Sequence, residues 1–265
     1  MRIFTITVSY APAALLARCL IQYQKTRAIK PYRHVVALGH YPINRLKNNN
    51  DTKLIVDCFD GIELWDPCEN LGSAQTQNWI LSRLDIKDGD YFINLDPDSH
   101  CPKPNWDHAM KTVLDNNENC ALISCMAPMV ERYLNGRTLV EMSREGNARF
   151  AVPQQPTPFN LSMWRYSFIK EIGGIPQMGL WWGETEAPFY SHCQRRGKYH
   201  AYLSDFLENE DGKFMQDKEQ NEWKDLHMRN RSTPFHGNFE EFLRWKYPSL
   251  AEMNTCKDLS NHNHP

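Results

Sequence analysis

The stretch Tyr91-Phe92-Ile93-Asn94-Leu95-Asp96-Pro97-Asp98 decides the fold class of this 265-residue chain. A mainly apolar run follows the turn Asp88-Gly89-Asp90, and this pattern predicts a buried strand. Two carboxylates come directly after the run, and in open α/β sheets ligands bind at the carboxyl ends of the strands. Asp96 and Asp98 therefore predict a site for Mg²⁺ or Mn²⁺ shared with a diphosphate, although Asp-Pro-Asp is also common in turns.

A second acidic stretch, Trp181-Trp182-Gly183-Glu184-Thr185-Glu186, precedes a short helical pattern with Pro188 in its first turn. A glutamate at the start of a helix is favoured as a carboxylate, which can accept the proton of an attacking hydroxyl. The alternative is that both glutamates only stabilise the helix. The paired tryptophans fit either a platform for a sugar face or half-buried core aromatics.

Strand and helix patterns alternate along the first half of the chain. Strands are predicted at residues 3–8, 34–38 and 54–56, the last after an exposed polar loop over residues 44–52. Helices are predicted at residues 73–84, around residues 106–114, and where Leu16, Cys19, Leu20 and Tyr23 share one helical face. This alternation predicts a doubly wound α/β fold with a mostly parallel central sheet flanked by helices.

The second half is less regular. We expect a loop or hairpin over residues 131–159, a helix over residues 166–172 that ends at Gly173-Gly174, and a strand over residues 199–203. No internal repeat is visible, and the last residues, 261–265, are expected to fray.

Composition argues for an ordinary soluble domain. Hydrophobic residues make up 41% and charged residues 23% of the chain, and the net charge of -2 gives no electrostatic reason to expect nucleic acid or a membrane surface. No apolar run approaches the ~20 residues of a membrane span, and the amino terminus reads as a strand. Eight cysteines without a Cys-x-x-Cys pair indicate thiols that are mostly reduced and buried, so we expect a cytoplasmic protein.

Four motifs resemble, in the same order, those of nucleotide-sugar glycosyltransferases with the GT-A fold, in particular family 2. They are Asn70-Leu71-Gly72 with Asn78, the Asp-x-Asp strand over residues 91–99, Phe168 with Ile172-Gly173-Gly174, and Gly183-Glu184-Thr185-Glu186 followed by Gly197. The resemblance spans roughly residues 1–205. It implies one GT-A domain over residues 1–265, with a nucleotide-sugar half (1–125), an acceptor and catalytic half (126–240) and a tail (241–265).

The resemblance also implies metal-dependent transfer of a sugar from a nucleotide sugar, most simply a UDP-sugar, with Mn²⁺ or Mg²⁺ as cofactor. The implied metal ligands are Asp98, Asp96 and His236, and the implied base is Glu186 or Glu184. Alignment on Gly183 favours Glu184, whereas alignment on Gly197 favours Glu186, and Glu186 is slightly preferred. The implied donor contacts are Thr7, Val8, Tyr10, Asp57, Gln77, Asp96 and Trp182.

Three departures from the family pattern matter. Ala37-Leu38-Gly39-His40 lacks the aspartate that often holds the nucleotide base, so Asp57 or Asp60 is the expected substitute. Gln77 stands where an arginine often faces the donor. His227 is the alternative to His236, and Arg229 and Arg231 either neutralise a leaving diphosphate or form a solvated charge run.

Two other functions fit parts of the sequence. A nucleotidyltransferase on a related fold would need a Gly-rich basic loop, which Ser9-Tyr10-Ala11-Pro12 does not provide. A non-catalytic sugar-binding or nucleotide-binding protein that keeps the fold is the second alternative. The acceptor remains open among saccharide, protein, lipid and modified nucleic acid.

Overall fold

The computed structural model of the chain describes residues 1–10, 13–40, 45–126, 139–145, 148–158, 160–176, 185–207 and 209–210. The strands are β1 (Ile3–Ser9), β2 (Arg33–Leu38), β3 (Ile62–Trp65), β4 (Tyr91–Asn94), β5 (Ser99–His100), β6 (Cys120–Met126), β7 (Leu139–Glu145), β8 (Ala148–Pro153), β9 (Ser162–Arg165), β10 (Tyr199–Leu207) and β11 (Asn209–Glu210). The helices are α1 (Ala13–Thr26), α2 (Arg45–Asp57), α3 (Ser73–Leu81), α4 (Trp106–Asn116), α5 (Tyr166–Glu171) and α6 (Glu186–Arg195).

The described strands form a nine-stranded central sheet in the order β3-β2-β1-β4-β9-β6-β10-β8-β7, and β11 pairs with β5 in a separate ribbon. β1, β2, β3 and β4 are parallel neighbours, and β6 is parallel to β10. β9 is antiparallel to β4 and β6, and β8 is antiparallel to β7 and β10. Only β8 and β9 therefore run against the other strands of this sheet, which confirms the predicted mostly parallel α/β fold.

Helices cover both faces of the sheet, because each face is apolar. On one face lie α1, α2 and α4, whose buried residues include the predicted set Leu16, Cys19, Leu20 and Tyr23. On the other face lie α3, α5 and α6, which contribute Ile80, Phe168 and Phe189. Each fully buried side chain of this size contributes about 1.5–3 kcal/mol relative to exposure. None of the helices in the described ranges combines the length and the apolar character that crossing a bilayer requires.

The predicted loop over residues 44–52 and strand over residues 54–56 are wrong, because this region forms α2. Leu54 is 66% exposed and Val56 is 3% exposed, so the short apolar run does not sit in a sheet. The polar residues Asn49 and Thr52 point inward, where Thr52 Oγ1 lies 3.1 Å from Ser9 Oγ. A three-residue apolar run fits either a strand or a buried helix segment, and only tertiary contacts decide between them.

From residue 120 onward the chain contains more structure than the sequence patterns indicated. The expected hairpin is confirmed as β7 and β8. β6 and β9 were not predicted, although β6 lies between β9 and β10 at the centre of the sheet. The predicted helix end is confirmed: α5 is followed by Gly173 and Gly174 with φ of 84° and 118°, and Gly174 N–H donates to Ile169 O at 2.8 Å.

Candidate active site

The ends of the parallel strands β1 to β4 define what we call the carboxyl edge of the sheet. Asp96 and Asp98 lie there, directly after β4, and both are half-buried. Ser99 N–H donates to Asp96 O at 3.1 Å, so Pro97 and Asp98 occupy the centre of a tight turn. A turn and a carboxylate site are therefore compatible, since this turn places two half-buried carboxylates two residues apart at one corner of the sheet.

Three polar side chains that are in register on adjacent strands lie next to this corner. Asn94, Ser162 and Ser124 lie side by side on β4, β9 and β6, and all three are buried. Asn94 Nδ2 donates to Asp96 Oδ1 at 3.1 Å and to Asn160 O at 3.0 Å. Asn94 Oδ1 and Ser124 Oγ have no hydrogen-bond partner in the described part of the chain. Buried polar atoms normally have a hydrogen-bond partner, so the two unpaired atoms indicate that this row of side chains is suited to bind a polar group.

The ends of β2 and β3 carry a histidine–carboxylate pair that the sequence patterns missed. His40 is buried with a φ of 52°, and its Nε2 lies 2.5 Å from Asp66 Oδ1. Asn49 Nδ2 lies 3.1 Å from His40 Nδ1, so a side chain of α2 holds the other nitrogen of the ring. Burial opposes ionisation of Asp66, but hydrogen bonds from His40 and from Cys68 N–H outweigh it and hold the pKa of Asp66 below its ordinary value. A positive φ at a buried non-glycine residue is a common feature of functional sites.

Tyr10 connects the end of β1 to the loop before α3. Its hydroxyl donates to Asn70 Oδ1 at 3.3 Å, and Gly72 N–H donates to the same oxygen at 3.1 Å. The Tyr10 ring lies against Gly39, where a Cβ would come within 2.6 Å of Tyr10 Cδ1 and 2.5 Å of Ser9 O. Asn70 Nδ2 is buried without a partner in the described chain. The loop motif at Asn70 thus faces the same edge as Asp96.

The structure brings some predicted donor contacts to the carboxyl edge and not others. Tyr10 and Asp96 lie there. The side chains of Thr7 and Val8 lie inside the core, and Thr7 Oγ1 is 3.4 Å from His34 Nε2. Gln77 is buried on α3, donates to Ser73 Oγ at 3.3 Å, and keeps a buried Oε1 without a partner in the described chain.

The predicted position of Asp57 in the site is not supported by its place in the fold. Asp57 is exposed at the end of α2, and Asp60 is exposed in the turn that leads into β3. β3 starts beside the start of β2, so both aspartates lie at the opposite edge of the sheet from Asp96. Asp66, at the other end of β3, is the carboxylate that this region brings to the carboxyl edge.

Glu186 is the first residue of α6. Its Oε2 is buried without a hydrogen-bond partner in the described chain. Burial raises the pKa of Glu186, although the backbone N–H groups of Glu186 and Thr185 act in the opposite direction. The expected effect of the helix N-terminus is thus present, but desolvation outweighs it. A buried carboxylate with a raised pKa is a typical candidate for general acid–base chemistry.

The fold places Glu186 at the carboxyl edge. α6 precedes β10, which begins beside the start of β6 at the opposite edge, and the ten-residue helix spans about 15 Å. Its first residue therefore lies toward the carboxyl edge. Phe189, one turn later, packs its ring 4.9 Å from that of Trp164 and 5.7 Å from that of Phe168. This aromatic cluster fixes the start of α6 against the sheet.

Asp96 and Asp98 are chemically suited to a hard divalent cation, because their side chains carry carboxylate oxygens two residues apart at this corner. Among the described residues no three His, Cys, Asp or Glu side chains gather as a candidate metal-binding group. Such cations commonly take few protein ligands and complete their shell with phosphates and water. Other predicted site residues lie outside the described residues: Glu184, Trp181, Trp182, His227, Arg229, Arg231 and His236.

No family model and no curated protein matches the chain. Solved structures do match. A mannosyltransferase, PcManGT from Pyrobaculum calidifontis in complex with GDP-Man and Mn²⁺, has 15% identity and a TM-score of 0.60, over 95% of this chain and 73% of that one.

Two further structures are similar over most of this chain. GalNAc-T7 with UDP, GalNAc and Mn²⁺ has 10% identity and a TM-score of 0.58 over 79% of this chain, which spans only 44% of that protein. TarS 1-349 from S. aureus with UDP-GlcNAc has 13% identity and a TM-score of 0.50, over 86% of this chain and 65% of that one. The protein therefore has the GT-A fold of nucleotide-sugar glycosyltransferases.

Proposed function

We propose that this protein is a metal-dependent glycosyltransferase that moves a sugar from a nucleotide sugar, most simply a UDP-sugar, to an acceptor hydroxyl. The observation that carries the proposal is the pairing of two acidic features at one edge of a GT-A sheet. Asp96 and Asp98 follow β4, and the half-buried Glu186, whose Oε2 is buried, begins α6. Solved structures with this fold contain UDP, GDP-Man or UDP-GlcNAc, two of them with Mn²⁺, which supports a nucleotide-sugar donor.

In this proposal the nucleoside lies over the ends of β1 to β3. Tyr10 and the His40–Asp66 pair offer an aromatic ring and hydrogen-bonding groups there. Gln77 and Asn70 each hold a buried polar atom that is unpaired in the described chain, so they are the next candidates to contact the donor. Asp96 faces the ribose or the sugar. Trp182, Arg229, Arg231 and His236 keep the roles that the family resemblance implies, with Glu184 as the alternative base.

Asp96 and Asp98 would hold Mn²⁺ or Mg²⁺, which when bound offsets the negative charge that develops on the leaving diphosphate. Glu186 accepts the proton of the acceptor hydroxyl while that oxygen forms a bond to the anomeric carbon. The bond from the anomeric carbon to the diphosphate oxygen breaks with its electron pair, and the nucleoside diphosphate leaves. A single displacement of this kind inverts the anomeric carbon.

Calorimetry with UDP and GDP, each with and without Mn²⁺, tests the donor half of the proposal. We expect UDP to bind with Mn²⁺ and to lose most of its affinity in excess chelator. A screen of UDP-sugars and GDP-sugars for slow hydrolysis then identifies the donor. Equal affinity with and without metal, together with full turnover in chelator, would contradict a metal-dependent mechanism.

Replacing Asp98 tests the carboxylate corner directly. Asp98→Ala is expected to lower the Mn²⁺-dependent affinity for UDP by at least about tenfold to a hundredfold, because removal of a group that only orients a metal ligand already costs this much. The fold should survive, because Asp98 is half-buried in a turn. Asp88→Ala is the matched control: this exposed aspartate pairs with Lys170 at the opposite edge and should leave UDP binding unchanged. Unchanged Mn²⁺-dependent binding in Asp98→Ala would remove Asp98 from the metal site.

A further inference from the structure

Two motifs 97 residues apart in the sequence meet through one side chain. Asn78, in the middle of α3, donates from Nδ2 to Ile175 O at 2.9 Å and accepts at Oδ1 from Ile175 N–H at 2.8 Å. The amide group thus binds the backbone of Ile175 as a neighbouring strand would, with one donor and one acceptor. Asparagine is suited to this role because one side chain carries both a donor and an acceptor.

Gly174 makes this contact possible. Its φ is +118°, a backbone conformation that residues other than glycine rarely adopt. A Cβ at this position would lie 3.1 Å from Asn78 Oδ1. Gly174 N–H also donates to Ile169 O, which closes the end of α5. Ile175 itself is 3% exposed and belongs to the core on the α3 face. The chain that leaves α5 is therefore fixed in position against α3.

The two elements that Asn78 joins belong to different parts of the proposed site. α3 begins directly after the Asn70–Gly72 loop, which binds Tyr10, and carries the buried Gln77. Ile175 follows α5, and the Phe168 ring of α5 packs 5.7 Å from the ring of Phe189 in α6, the helix that begins with Glu186. We infer that Asn78 is a positioning residue: through α5 it sets the place of α6, and so of Glu186, relative to the donor side of the site. This inference rests on the proposed function.

The test compares Asn78→Ala with the control Asn117→Ala. Asn117 makes a similar pair of bonds, from Nδ2 to Val113 O at 2.9 Å and from the Tyr199 hydroxyl to Oδ1 at 3.3 Å, but lies at the opposite edge of the sheet. Both variants should lose comparable stability in urea. Only Asn78→Ala should lower kcat, by about tenfold to a hundredfold, with the donor KM within about threefold of the parent value. An equal loss of kcat in both variants would overturn the inference.

A second readout does not depend on turnover. Carboxyl NMR of Glu186 should show that its pKa moves toward the ordinary glutamate value in Asn78→Ala and stays raised in Asn117→Ala. If the parent protein neither binds a nucleotide sugar with Mn²⁺ nor transfers one, the proposed function fails, and this pKa comparison still decides whether Asn78 positions Glu186. An unchanged pKa of Glu186 in Asn78→Ala would overturn the positioning role.

Asn78→Asp serves if the alanine variant does not fold. Its introduced carboxyl still accepts from Ile175 N–H, but once ionised it repels Ile175 O. When protonated it can donate again, so turnover relative to the parent protein should rise as the pH falls through the pKa of the introduced carboxyl. A ratio that does not change with pH would contradict the two-bond contact as the basis of the effect.

Discussion

The burial of Glu186 determines how strongly it binds a proton. Desolvation raises the pKa of its carboxyl above the ordinary value, while the first backbone N–H groups of α6 lower it less. A base with a raised pKa accepts a proton more readily near neutral pH. The same burial costs stability, because above this raised pKa the folded protein must hold a buried charge. Catalytic usefulness and thermodynamic cost thus come from one environment.

Glu186→Gln separates these two effects. The amide keeps the size of the side chain but does not act as a base, so turnover should fall by about 10²–10⁴ with donor affinity nearly unchanged. At pH 7 the free energy of unfolding should rise, by about 1.4 kcal/mol for each unit by which the fold raises the pKa. Turnover assays and urea denaturation measure the two quantities.

The effect of Glu186→Gln on the free energy of unfolding depends on pH, because the fold raises the pKa of Glu186. A group with a raised folded-state pKa contributes stability below its unfolded pKa and loses it as the pH rises through the folded pKa. The stability gain in the variant should therefore appear above the raised pKa of Glu186 and vanish in acid.

Glu184→Gln is the companion variant. Loss of turnover only in Glu184→Gln would make Glu184 the base, and loss in neither would remove the catalytic role from this segment.

At the scale of elements, helices and strands with a long regular pattern of apolar residues could be predicted from the sequence, and those with a short pattern could not. α1 and β4 were predicted because each has several buried positions at a regular spacing. α2 and β3 were missed because three apolar residues resembled a strand and the Asn-rich turn of α2 resembled a loop. That error displaced the end of β3 and concealed Asp66, which follows Trp65. With β3 placed correctly, the sequence rule for strand-end carboxylates would have selected Asp66 rather than Asp57.

The close approach of β2 and the end of β1 gives a prediction at the same scale. Gly39→Ala places a Cβ 2.5 Å from Ser9 O and 2.6 Å from the Tyr10 ring, so either the strand end or Tyr10 must move. We expect a loss of about 1–3 kcal/mol in stability, as in other overpacked sites, and weaker UDP binding by calorimetry.

Gly61→Ala is the control for Gly39→Ala. It has a φ of +76° and no neighbour within 4 Å, so it adds backbone strain at the opposite edge without crowding. It should lose a similar stability of about 1–2 kcal/mol and keep its UDP affinity. Equal UDP affinity in both variants would show that Tyr10 does not contact the nucleotide.

At the scale of the molecule, the sheet joins the two halves expected from the sequence. β9 comes from the second half, yet it pairs with β4 and β6 of the first half at the centre of the sheet. Ring contacts of Trp164 on β9 extend this junction, since Trp164 stacks on Phe92 at 5.6 Å and packs against Phe189 of α6 at 4.9 Å. Motif order was sufficient to predict the fold class. The insertion of β9 was not predictable from local patterns, because pairing partners distant in sequence leave no periodic signal.

A fragment of residues 1–125 should therefore not fold by itself. Within it, β6 lacks both of its partner strands, since β9 and β10 come later in the chain. The apolar face that Trp164, Phe168 and Phe189 cover would also be exposed. Circular dichroism during urea titration should show a cooperative transition for the full chain and none for the fragment. A cooperative transition in the fragment would establish the first half as an independent folding unit.

The position of β9 also has a consequence for protein synthesis. As the ribosome releases the chain from its amino terminus, β4 emerges about 70 residues and β6 about 40 residues before β9, which pairs with both of them. During that interval two buried, apolar strands present unpaired backbone edges, the kind of surface that pairs with other nascent chains. Slow translation between residues 126 and 165 should lengthen this exposure and increase the demand for chaperones.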